Sequence, residues 1–177
     1  MIAINKRGQF MKKIIIIFCM LWIGIIFFNS SNIGSVSNEK SYTIVNFIKN
    51  NNIYKKHIRK YVDIKSSTLN LIVRKSAHFI EYLILGIIIS FALFKYNFKG
   101  KGALGYILFI CLLCAVMDEF YQKFIQGRTS NVGDILIDFA GSLFGIFIFY
   151  IYDNIWSKIS SKGGVCNMWN KKNSVNK

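Results

Sequence analysis

The chain contains no proline, and only 8 of its 177 residues are Asp or Glu. Without proline no helix loses an amide donor, which suits long uninterrupted helices. Charged residues of either sign make up 18% of the chain against 53% hydrophobic ones, and the mean hydropathy is +0.38. That balance does not suit a soluble domain of this size. The cysteines are few and offer no disulfide framework. Cys19, Cys111 and Cys114 lie inside apolar runs, and Cys166 stands alone in the tail. Cys111 and Cys114 have a CxxC spacing, but no second pair and no polar neighbours accompany them, so small-residue helix packing is the reading preferred over metal or redox chemistry.

What the chain does have is apolar blocks separated by basic flanks. The net charge is +15, from 23 Lys and Arg. Those residues border the apolar runs and do not form a basic stripe interleaved with aromatics, so the expected partner is membrane lipid with anionic headgroups and not nucleic acid. The fold class expected is all-α, a polytopic helical bundle with four transmembrane helices at about 14–28, 78–94, 103–117 and 135–152. A basic segment, 1–13, precedes this membrane domain of 14–152, and a basic tail, 153–177, follows it. The first run, Ile14 to Phe28, has Lys6, Arg7, Lys12 and Lys13 before it and no A-x-A site after it. It reads as an uncleaved signal anchor in preference to a signal peptide, with Met11 as an alternative start.

Between the first two spans, Asn29 to Asn38 reads as a small polar linker. Ile44, Phe47 and Ile48, then Ile53, Tyr54, Ile58 and Tyr61, recur at helical spacing with lysines between them. These are expected as amphipathic surface helices, the alternative being a solvated basic loop. Ser66 or Ser67 is a candidate cap for a further helix leading into the second span.

Four spans put the amino terminus, the Lys95–Lys101 loop and the tail on one side, with 4, 3 and 5 basic residues. Basic flanks and short basic loops predict that side to be cytoplasmic. The long connection carries nine basic residues on the opposite side, mostly remote from the first span, and weighs less.

The few polar residues near the spans fall into two clusters at the extracytoplasmic end. Arg74, His78, Glu81 and Tyr82 share a helix face, with Lys75 beside them. Asp118 and Gln122 share another, with Glu119 adjacent, and Arg128 follows in a short hinge. Asp134, Asp138, Gly141 and Gly145 form one stripe along the fourth span, where Gly141-x-x-x-Gly145 admits a close helix neighbour. Ionisable groups at this depth are costly and imply partners, so the clusters are expected to form one pocket, the plainer alternative being a structural network. Asp138 in particular needs a cation, and Arg128, Arg74, His78 and Lys75 are the candidates. In a binding role Arg74, Lys75 and Arg128 would hold a phosphate or carboxylate, with Asp134 and Asp138 orienting the arginine. In a catalytic role His78 would be general base with Glu81 orienting it, or Asp118, Glu119 and Asp134 would hold a divalent cation. No nucleophile or metal box is complete, so neither catalysis nor a cofactor is assigned. A small transporter lined by Glu81, Asp118 and Asp138 ranks last, because the acids sit near one face and no proline-broken helix exists.

The blocks RKSAHFIEYLILG (Arg74 to Gly86) and DEFYQKFIQGRTSNVGDILIDFAGSLFG (Asp118 to Gly145) resemble the VanZ-like family. Lys75, His78, Phe79, Glu81, Tyr82, Leu85 and Gly86 match its first block, and Asp118, Glu119 and Gln122 its second. Gly127, Arg128, Asp134, Asp138, Gly141 and Gly145 match its third, and Gln126 stands where the family usually has proline. The resemblance implies a four- or five-span envelope protein of Gram-positive bacteria. It also implies a contribution to teicoplanin resistance. The partner expected for the outward polar pocket is a lipid-linked cell-wall component, a lipid headgroup or the glycopeptide, the alternative being an enzyme acting on a phospholipid or lipid-linked wall substrate.

Overall fold

The computed structural model describes residues 2–50, 66–98, 100–128 and 130–174. The described residues form five helices and no strand. They are α1 (Ile2–Ser30), α2 (Gly34–Asn50), α3 (Ser66–Lys95), α4 (Lys101–Gln122) and α5 (Val132–Ser174). Four stretches are long and apolar enough to cross a membrane: Gln9–Ser30, Ser66–Lys95, Gly102–Gln122 and Val132–Ser160. The molecule is an all-helical, multi-span membrane bundle. Its outer surface carries large apolar side chains such as Met20, Phe109, Phe144 and Phe147, as a lipid-facing wall requires.

Every span is longer than its apolar run. In lipid and headgroups an unpaired backbone amide is expensive, so a helix continues through flanking polar residues instead of stopping where hydropathy falls. α3 is extended at its amino-terminal end, and its 30 residues exceed the ~20 that cross the hydrocarbon. Its first turns, around Leu69 and Val73, pack on α2 through Val45 and Ile48. Asn70 Nδ2 also donates to Asn38 Oδ1 at 3.3 Å. The expected linker Asn29–Asn38 is therefore helical from Gly34 onward. On α2 the inward side chains are Ser41, Val45 and Ile48, while Ile44 and Phe47 are exposed. Ile53, Tyr54, Ile58 and Tyr61 lie outside the described residues.

The core is a layer through all four spans. Ile26 of α1, Tyr82, Leu85 and Ile89 of α3, Ile107, Cys111 and Ala115 of α4, and Ile146 of α5 make one buried cluster. Cys111 is fully buried there as a free thiol, consistent with a packing role for the CxxC pair.

The tightest contact joins α3 to α5. A Cβ added at Gly141 would collide with the Phe79 carbonyl, one at Gly145 with the Leu83 carbonyl, and one at Gly86 with the Ser142 carbonyl. The two backbones therefore touch, which only glycine permits. This contact sets α3 against α5 in a fixed register and brings His78 opposite Asp138.

Candidate functional site

The polar end of the bundle is assembled from the end of α1, the first half of α3, the end of α4, the α4–α5 hinge and the start of α5. α4 runs on to Gln122, so Asp118 and Glu119 are not on a solvated helix end; both are buried, at 0% and 2% exposure. Asp118 Oδ2 accepts from Ser30 Oγ and from Gln122 Nε2, each at 2.9 Å. Glu119 Oε1 accepts the Asn131 backbone N–H at 2.6 Å. Asn131 in turn accepts the Gly133 N–H at 2.9 Å and caps α5. The acid at the end of one span thus positions the start of the next.

The hinge is docked, not loose. Gly127 takes φ 77°, a conformation that glycine adopts without strain. The Gly34 N–H donates to the Gln126 carbonyl at 3.1 Å, and a Cβ on Gly34 would strike the Gly127 carbonyl. Arg128 is then held by two elements. Its Nε donates to the Asn32 carbonyl at 3.1 Å and its Nη1 to Gln122 Oε1 at 2.8 Å. Burial, and then the charge of Arg74 nearby, push the Arg128 pKa below its ordinary value. A guanidinium starts so far above neutrality that the side chain stays a cation.

These partners differ from those the sequence suggested. Asp134 and Asp138 do not orient Arg128; Gln122 and the α1–α2 turn do. Asp134 pairs with Lys75 at 2.5 Å, in a half-exposed bridge at the mouth. Asp138 is 2% exposed and forms no ion pair with a described residue. His78 and Glu81 are not a hydrogen-bonded pair either. Their closest approach is 3.9 Å, and Glu81 Oε1 is bound by Asn29 Nδ2 at 2.7 Å. Tyr82 is fully buried in the core and donates to the Cys114 carbonyl at 3.2 Å, so it does not reach the pocket. Arg74 makes no hydrogen bond or ion pair with a described residue.

Two spaces adjoin these groups. A cavity of about 20 Å³, enough for about one water, is lined by Arg74, Lys75, His78, Glu119, Gln122 and Asp138, among others. A more open groove of about 220 Å³ runs beside α2, bordered by Asn32, Lys40, Arg74, His78, Glu81 and Arg128. Nearly all the candidate residues therefore meet at one end, Tyr82 excepted.

Ser30, Asn29, Asn32 and Gly34 were missed from the sequence, because they lay in what read as a linker. A signal existed. Asn29 and Ser30 end an apolar run, as Asp118 and Glu119 do, and four spans bring those two ends to the same side.

Fold and site together define a multi-span helical membrane protein with a buried polar centre at one end of its bundle. The chain belongs to the VanZ/LLP1 family, whose model matches residues 15–153. No curated protein and no solved structure matches it.

Proposed function

We propose that this chain is a cell-envelope protein that binds the anionic headgroup of a lipid-linked wall component at its polar end. The observation that carries this reading is the groove between α2, α3 and the hinge. Lys40, Arg74 and Arg128 border it, and Arg74 has no partner among the described residues. A guanidinium left unpaired beside a groove suits a phosphate or carboxylate, which its planar fork binds at two points. The basic flanks argue that both termini are cytoplasmic and that the groove opens outward, where such a component is exposed. Occupying or displacing it would lower the access of a lipophilic glycopeptide such as teicoplanin. No reaction is needed for that effect.

The test is the susceptibility of a Gram-positive host expressing wild type, Arg74→Ala, Arg128→Ala or His78→Ala, with membrane abundance measured beside it. The reading expects wild type to raise the teicoplanin level that inhibits growth, and the variants to lose the effect at unchanged abundance. No change with wild type would remove the glycopeptide role, leaving the family and the membrane fold.

A further inference from the structure

Beneath the groove, three helices aim unsatisfied groups at one point. His78 of α3, Asp118 of α4 and Asp138 of α5 each offer one ligand atom, and these atoms lie within 4.8 Å of one another. His78 Nδ1, Asp118 Oδ1 and Asp138 Oδ1 are also buried with no hydrogen-bond partner. The two carboxylates are 0% and 2% exposed. Buried carboxylates without a counter-charge are costly, and here two face each other beside an imidazole. The nearby cations do not pair with them: Arg74 lines both the small cavity and the groove but forms no ion pair with either carboxylate. Lys75 is on Asp134, and Arg128 is on Gln122 and Asn32.

We propose that His78, Asp118 and Asp138 bind one divalent first-row metal ion. Nitrogen and oxygen ligands of such an ion sit at ~2.0–2.2 Å, so a pair of them is separated by no more than ~4.4 Å. Small side-chain rotations from the present spacing close that shell. The surroundings fit as well. Ser30 and Gln122 both fix Asp118 through Oδ2 and leave Oδ1 free, the kind of outer hydrogen bonding that orients a metal ligand. The donor set selects among ions: one imidazole with two carboxylates suits Zn²⁺ or Mn²⁺, whereas Ca²⁺ and Mg²⁺ favour oxygen alone. Three protein ligands leave a position open, and the water-sized cavity lined by His78 and Asp138 adjoins it. Glu119 and Asp134, the other acids considered as cation ligands from the sequence, are held by Asn131 and Lys75.

The test uses untagged full-length protein in detergent, stripped with a chelator, then dialysed against Zn²⁺ or Mn²⁺ alone. Uptake is read by elemental analysis and affinity by calorimetry. Wild type should take up about one equivalent. His78→Ala and Asp138→Asn should weaken binding by more than the ~10–100-fold typical of losing an outer hydrogen bond, and Ser30→Ala by about that amount. Glu39→Gln, on α2 away from the cluster, should match wild type. Should the ligand variants fail to fold, pulsed electron paramagnetic resonance of Mn²⁺-loaded protein decides on folded samples. The chain has only two histidines. Imidazole-nitrogen coupling should be present in wild type and retained in His57→Ala. No uptake by wild type, uptake unchanged in both ligand variants, or coupling lost with His57 would each overturn the site. None of these readouts depends on glycopeptide susceptibility, so the site and the headgroup reading fail separately.

Discussion

Replacing glycine by alanine in this chain should have opposite effects at two positions. At Gly105 of α4 a Cβ meets nothing within 4 Å. Alanine there brings only better helix propensity, worth up to about 1 kcal/mol. At Gly145 of α5 the same methyl falls well inside 3.0 Å of the Leu83 carbonyl, and the colliding atom is backbone, which cannot rotate away. The helices must part, and overpacking of this kind costs ~1–3 kcal/mol. Propensity offsets about 1 kcal/mol of that. Gly145→Ala should therefore be destabilised by up to ~2 kcal/mol and Gly105→Ala stabilised by up to ~1 kcal/mol. For a chain of this size each kcal/mol moves Tm by roughly 2–4 °C. Thermal unfolding in detergent, followed by circular dichroism and by the monodisperse fraction on size exclusion, gives both numbers. Gly145→Ala melting at or above Gly105→Ala would refute the backbone contact between α3 and α5, and with it the register that brings His78 to Asp138.

Four other outcomes are expected. Ser30→Ala removes a buried donor from Asp118 and should cost ~1–3 kcal/mol in the same melting assay. The Lys75–Asp134 bridge is 38% and 25% exposed, so a double-mutant cycle with alanine should return a coupling of only ~0.2–1 kcal/mol, screened by salt. Arg128→Lys should not rescue Arg128→Ala in the susceptibility assay, because a single ammonium cannot reproduce the fork that joins Gln122 to the Asn32 carbonyl. Cys114→Ala should leave susceptibility and metal uptake unchanged, and loss of either would return the CxxC pair to redox or metal chemistry.

Much of the architecture was legible because membranes make hydropathy informative. The four spans stand out from blocks of apolar residues, and the polar clusters stand out against them. Helix ends were less legible. The helix expected from Ser66 or Ser67 into the second span is there, since α3 starts at Ser66, but it runs on without a break through Arg74 and Lys75, so the span boundary read near His78 from hydropathy is no helix end. The stretch from Gly34 to Asn38 has residues of weak helix propensity and is held in a helix by docking against the hinge and against Asn70. Partner choice was legible only locally: Asp118 and Gln122, read as sharing a face, do bond at 2.9 Å, but the partners between elements were not legible. Sequence spacing gave Arg128 two acids as neighbours on the next helix. Which groups it meets depends on how the α1–α2 turn folds over the hinge, and that contact joins residues about a hundred positions apart. The glycine spacing implied a close helix neighbour without saying which one.

The glycine contact between α3 and α5 also limits how this end of the protein can move. Gly141 and Gly145 lie one helical turn apart, as do the Phe79 and Leu83 carbonyls that fill them. The two helices mesh like a short rack, with one tooth per turn. Sliding by less than this repeat would put a carbonyl against a side chain, so the smallest permitted step is four residues, ~6 Å at ~1.5 Å per residue. A step of that size separates His78 from Asp138 completely. Sliding along this contact can therefore only assemble or dismantle the polar centre, with no graded opening by that route. Any ligand that alters it must do so by bending a helix or moving α4, not by easing α3 along α5.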